Sequence, residues 1–149
     1  TNGSVMVGGK LFGSGSSREA AAFIPRHLRV RVAIAESFAP IHRENAIEQG
    51  LFYMIYKNPS DRSKFDRDDL ISISGLDKLD VDNRDVEVKI KKKDGSEVIV
   101  ICEHVLDTPY KIEVFRAGSE PNLFKKILID QFKGDVSAFM KWFEEKNRL

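Results

Sequence analysis

The sequence predicts an α/β fold, a layered domain with helices and strands alternating early and short strands gathering later. Three observations carry that expectation. Strand-length apolar runs at Val5-Met6-Val7, Val30 to Ala35 and Leu51 to Tyr56 are separated by helix-like stretches near Ala20-Ala21-Ala22 and from Pro40 to Gln49. Farther on, Val86, Val88 and Ile90 alternate with charged residues, reach Asp94-Gly95, a dipeptide suited to a hairpin turn, and return as Val98 to Cys102. At the end, Val136, Phe139, Met140 and Phe143 recur at helical spacing and add an amphipathic C-terminal helix.

Taken in order, Val5-Met6-Val7 is the first strand and a Gly/Ser-rich stretch separates it from a short helix around Ala20 to Ala22. Val30 to Ala35 reads as a buried strand, rich in β-branched residues, with Arg31 its only interruption. The helix from Pro40 to Gln49 stops at Gly50 and spaces Ile41, Asn45, Ala46 and Ile47 for an inward stripe. Leu51 to Tyr56 is fully apolar and of strand length. Leu70 to Ser74, Val86 to Ile90, Val98 to Cys102 and Lys111 to Phe115 complete the short strands. Asp135, after Gly134, is placed to N-cap the last helix, whose stripe is expected to pack on its own domain. Trp142 lies off that stripe and leaves a partner-facing role open. The expected division is a junction segment at 1–4 outside the fold, a domain over 5–132 and a helical extension over 133–149.

Composition bounds the function. A chain of 149 residues with 42% hydrophobic content fits one domain with a sizeable core. Lysine and arginine total 24 against 23 acidic residues, so a net charge of +1 gives no general attraction for nucleic acid or membrane. The basic run Lys89 to Lys93 reads as the wet face of the hairpin. No apolar run reaches the ~18 residues that a membrane-spanning helix needs, and no secretory signal opens the chain. Cys102 is the single cysteine and sits in an apolar strand, so it is expected to be a buried small hydrophobe, with no disulfide and no iron–sulfur cluster held by this chain alone. His27, His42 and His104 are dispersed and lack metal-ligand spacing.

The segment Gly13-Ser14-Gly15-Ser16-Ser17-Arg18-Glu19 carries the chemistry. It follows a strand and opens a helix, where glycines let backbone N–H groups approach a ligand and the helix start supplies partial positive charge. Adjacent hydroxyls add proton-transfer groups, and a guanidinium adds a planar fork that grips a carboxylate through parallel bonds. The loop points to carboxylic acid chemistry.

Reading on from Gly13 to Ala22, then Pro25-Arg26-His27-Leu28, Ser37-Phe38-Ala39-Pro40-Ile41-His42 with Asn45, and Gln49-Gly50-Leu51, the chain resembles the C-terminal swivel domain of the aconitase family. Asp68 to Leu76, Asp94-Gly95 and Phe115-Arg116-Ala117-Gly118-Ser119 with Asn122 keep the family's order from about Val5 to Leu128. The motifs look most like those of mitochondrial-type aconitate hydratases. The resemblance implies a layered β/β/α domain, a tricarboxylic acid substrate, and reversible dehydration of citrate to isocitrate through cis-aconitate in the tricarboxylic acid cycle. In that lyase, Ser17 matches the base, Arg18 a carboxylate-binding residue, and Ser16 and Gly15 substrate-binding positions. The [4Fe–4S] cluster lies on other domains, so no cofactor is expected on this chain, and any hydro-lyase activity would need those cluster-bearing domains. His42 corresponds to a family residue that orients or packs near the loop. The implied compartment is the mitochondrial matrix or the cytoplasm.

The chain also departs from the family. The upstream stretch with its Thr-Thr-Asp-His-Ile-Ser-Pro-like motif and second arginine is not in the sequence, Ala20 stands where histidine is usual, and Arg29-Val30 stands where Gly-Gly is usual. A second reading therefore stands beside the first: a catalytically degenerate relative kept as a structural or interaction subunit of a multisubunit complex, contacting it through the C-terminal helix.

Overall fold

The computed structural model of the chain describes residues 3–15 and 18–146, Arg18 by its backbone alone. Among the described residues, β1 (Ser4–Val7), β2 (Val30–Ala35), β3 (Phe52–Tyr56), β4 (Leu70–Ile73), β5 (Asp85–Lys91) and β6 (Glu97–His104) form one sheet in the order β1-β2-β3-β6-β5-β4. The first three run parallel, with α1 (Arg18–His27) and α2 (Pro40–Glu48) as their connections. The other half is antiparallel. The chain ends in α3 (Pro109–Ala117), α4 (Glu120–Asp130) and α5 (Val136–Lys146). Helix α1 packs on α2, α2 on α3, and α3 on α4. This is the mixed α/β layering that the sequence predicts.

The core lies where the apolar runs place it. Phe52, Tyr53 and Met54 are consecutive and all buried, as a central strand covered on both faces requires. On β5, Val86, Val88 and Ile90 face inward while Glu87, Lys89 and Lys91 face water, and Gly95 turns the hairpin with a 2.8 Å bond from the Lys92 N–H to the Ser96 carbonyl. Lys92 departs from that wet face. Its ammonium reaches back to Asp66 and Asp69, each at 2.8 Å, and ties the segment before β4 to the hairpin.

Several boundaries differ from the expectation, each for a physical reason. Lys111 to Phe115 is helical, not a strand. The Thr108 hydroxyl accepts from the Lys111 N–H at 3.3 Å, Pro109 fills the first turn, and Gly118 closes the last, so capping outweighs the strand-like alternation of Ile112 and Val114. Helix α4, which pattern alone did not predict, begins at a Ser119 cap. Helix α1 runs through Pro25 to His27, and β1 opens at Ser4, within the stretch expected to lie outside the fold. Thr1 and Asn2 lie outside the described residues.

Two helix faces are also rephased. In α2 the inward residues are His42, Ala46 and Ile47, while Ile41 is 56% exposed. In α5, Asp135 caps as expected, accepting from the Ala138 N–H at 3.0 Å, but the packed side is Phe139, Trp142 and Phe143. Their rings meet Phe124 of α4 and Phe132, while Val136 and Met140 are exposed. Tryptophan has the larger surface to bury, so it sets the phase of the helix.

The ends of three helices meet at one corner. Gly50, with φ of +73°, turns α2 into β3, and a β-carbon there would lie 2.0 Å from the Gly118 carbonyl oxygen. Arg26, in the last turn of α1, donates to the neighbouring Gln49 carbonyl. Gly50→Ala combines left-handed strain with overpacking, and we expect it to cost about 2–4 kcal/mol in equilibrium urea unfolding.

His104, at the end of β6, is buried and its Nδ1 accepts from the Leu106 N–H at 3.3 Å. Burial holds its pKa below the usual histidine value. The unfolded chain therefore takes up a proton that the folded chain resists. The associated stability is complete above the ordinary histidine pKa of about 6.5 and is lost as pH falls through that value toward the folded one. Urea midpoints at about pH 7.5 and pH 5.5 should fall less for His104→Gln than for the wild-type chain; equal falls would contradict this.

Candidate functional site at the start of α1

The loop between β1 and α1 is stitched to the loop between β2 and α2. Across the two loops the Phe12 N–H donates to the Ser37 carbonyl and the Ala39 N–H to the Phe12 carbonyl, each at 2.9 Å, while the Gly8 N–H donates to the carbonyl of Ile34 in β2 at 2.8 Å. The Ser37 hydroxyl accepts from the Leu11 N–H at 2.8 Å. Parallel strands make this proximity natural, because their C-terminal ends lie side by side where both loops emerge.

Beneath the loop lies an aromatic floor. Phe12 meets Phe38 edge-on at 5.8 Å between centroids, and Phe38 stacks on Tyr53 at 4.5 Å. His42 completes it, only 2% exposed, with its Nε2 2.9 Å from the Tyr53 hydroxyl. Burial pushes the Tyr53 hydroxyl well above the usual tyrosine pKa, so it stays protonated and can donate to His42. The backbone turns at Gly13, φ +82°, directly over the imidazole; a β-carbon there would come within 2.0 Å of His42 Cδ2. The expected role of His42 as packing near the loop therefore matches where the structure puts it.

Helix α2 also ties down the first turn of α1. With its amide assigned in the orientation that satisfies both of its groups, the Asn45 side chain accepts from the Glu19 N–H at 3.2 Å and donates to the Ile41 carbonyl at 3.3 Å. One of the unpaired N–H groups at the helix start is thereby satisfied from a neighbouring helix. The site residues read from the sequence fall on both sides of the description. Gly13, Ser14 and Gly15 are in the loop, and Arg18 opens α1. Ser16 and Ser17 lie outside the described residues, as does the Arg18 side chain. Glu19 and Ala20 follow, exposed. The ten-residue helix that follows has the positive end of its dipole at Arg18, an environment that favours an anion.

Sequence reasoning did not assign a role to Tyr53, nor to Asn45 the bond that fixes α1. Neither has a local signal, because both partnerships are tertiary.

The donor set does not fit an iron–sulfur cluster. Cys102 is fully buried on β6, and desolvation pushes its thiol up to about 12, far from the thiolate that ligates iron. Among the described residues no three histidines, cysteines or carboxylates gather to hold a metal ion. His27 stacks on Phe23, His42 lies under the loop and His104 is in the core, as dispersed as their sequence positions imply. No described helix is long and apolar enough to cross a membrane.

Comparison with known proteins agrees with the fold. Residues 2–59 match the family model of the aconitase C-terminal domain. The chain is 40% identical over 123 residues to the probable mitochondrial aconitate hydratase of Caenorhabditis elegans, covering 83% of this chain and 16% of that protein. It is 39% identical over 121 residues to the mitochondrial aconitate hydratase of Saccharomyces cerevisiae, covering 81% and 15%. The chain thus spans about a sixth of the length of these relatives. A solved structure, the 3-isopropylmalate dehydratase of Methanocaldococcus jannaschii, superposes with a TM-score of 0.57 at 26% identity, over 87% of this chain and 68% of that one. The chain belongs to the aconitase family and corresponds to its C-terminal, swivel-type domain.

Proposed function

We propose that this domain serves a mitochondrial aconitate hydratase-type hydro-lyase, contributing the carboxylate-binding and proton-abstracting side of the site. The observation that carries the reading is the glycine loop held over His42 at the positive end of α1, in a chain whose relatives are aconitate hydratases. Arg18 grips a substrate carboxylate through two parallel bonds, while Gly15 and Ser16 donate to it. Ser17, as the alkoxide, takes the proton from the carbon next to a carboxylate as the double bond forms, and the departing hydroxide would be received by the Lewis acid that the other domains would supply. A serine oxyanion is tolerable only where N–H donors and a guanidinium surround it and water is excluded, so the site works once other domains close over the loop. Those domains carry the [4Fe–4S] cluster, for which this chain's residues are unsuited.

A second reading, a relative kept for assembly without catalysis, draws on the exposed Val136 and Met140 of α5, the helix whose aromatic side is already packed. The two readings part in the assembled protein. The enzyme reading predicts that Ser17→Ala lowers turnover of isocitrate by about 10²–10⁴-fold with substrate binding retained. Arg18→Lys should weaken tricarboxylate binding by about 10- to 100-fold, since a point charge replaces the fork. Normal turnover in Ser17→Ala would sink the reading. A wild-type assembly that neither turns over nor binds tricarboxylate would favour the subunit.

A further inference from the structure

We propose that Ser37 is a positioning residue for the glycine loop: its hydroxyl holds Leu11 in a left-handed backbone conformation and so sets the course of the chain over His42, a role that rests on this loop being the carboxylate-binding side of the site. Leu11 has a φ of +50°. Leucine avoids that region because its β-carbon crowds the following carbonyl oxygen, a strain equivalent to a preference of about tenfold against it.

Packing within the domain does not offset the strain. Leu11 is 59% exposed, whereas its neighbour Phe12 packs on the core. The constraint comes from the backbone on either side. The Gly9 carbonyl accepts from the Glu36 N–H at 3.2 Å, and Phe12 is fixed by its two 2.9 Å bonds to Ser37 and Ala39. Between these anchors the chain has only Lys10 and Leu11 in which to change direction, and Leu11 takes the left-handed step. Its carbonyl then accepts from the Ser14 N–H at 3.1 Å and closes the turn that lays Gly13 over the imidazole.

The remaining polar group of Leu11, its N–H, goes to the Ser37 hydroxyl at 2.8 Å. A neutral bond of this kind is worth a factor of about five. It is of the same order as the strain, so losing it tips the loop toward other conformers. Ser37 follows β2 by two positions and therefore acts on the adjacent loop through Leu11 rather than on substrate.

Two variants test this. In the full chain, Ser37→Ala should speed amide exchange at Leu11 and at Ser14 by about fivefold, measured by NMR. Adding Leu11→Asn to Ser37→Ala should return Ser14 to within about twofold of the wild-type rate, because asparagine takes the left-handed conformation readily. In the assembled protein, Ser37→Ala should raise KM for isocitrate by about fivefold with kcat changed less than about twofold, since binding draws on a smaller population of the held loop and substrate then keeps it. Unchanged exchange at Ser14 in Ser37→Ala would overturn the proposal. So would fast exchange that persists in the double variant, the result expected if Ser37 merely packs, or a fall in kcat at constant KM. An assembled wild-type protein without turnover would defeat the enzyme reading, while the Ser14 amide would still decide whether Ser37 holds the loop.

Discussion

The imidazole of His42 fills the space directly beneath Gly13, and the geometry of the loop follows from that contact. No side chain at residue 13 fits above the ring, so the backbone comes down onto it with a positive φ. The ring is fixed in turn by Tyr53 of the central strand, through a buried bond whose net worth is about 1 kcal/mol. Orientation matters more than that energy. His42 must face inward to lie under the loop, and this sets the phase of α2, turns Ile41 to solvent and brings Asn45 against the first turn of α1.

Helix α1 is consequently held at both ends by residues of α2 and its cap. Asn45 binds the Glu19 N–H at the start, and the Gln49 carbonyl accepts from Arg26 at the finish. Close contact between Gly50 and the Gly118 carbonyl passes this constraint on to α3. The parallel half of the sheet thus delivers the loop, while the antiparallel half buries Cys102 and neutralises its surface in ion pairs. A domain built this way holds its glycine loop on a rigid mount, and among the described residues no three histidines, cysteines or carboxylates gather to hold a metal ion.

Much of the architecture was legible because local and tertiary signals agreed. The runs Val30 to Ala35 and Leu51 to Tyr56 could be nothing but buried strands, and Asp94-Gly95 between alternating segments fixed the hairpin. Lys111 to Phe115 misled because Ile112 and Val114 alternate as a strand would, while the deciding information lay outside the run, at Thr108, Pro109 and Gly118. The phase of α2 was hidden for a different reason. Hydropathy ranks isoleucine above histidine, but a histidine with a buried phenol as partner is the better inward residue. The glycine loop stood out in the sequence as the candidate site, whereas its supports Tyr53 and Asn45 did not, since nothing in their own neighbourhoods marks contacts made across the fold.

Helix α2 pins the start of α1 and so fixes the loop. The most direct measurement is amide hydrogen exchange at Glu19 by NMR in wild-type chain and in Asn45→Ala. The account predicts exchange faster by about fivefold or more at Glu19, the loss of one hydrogen bond, with amides at the far end of α1 unchanged. Equal exchange at Glu19 in the two proteins would contradict it and leave the loop without the support described for it.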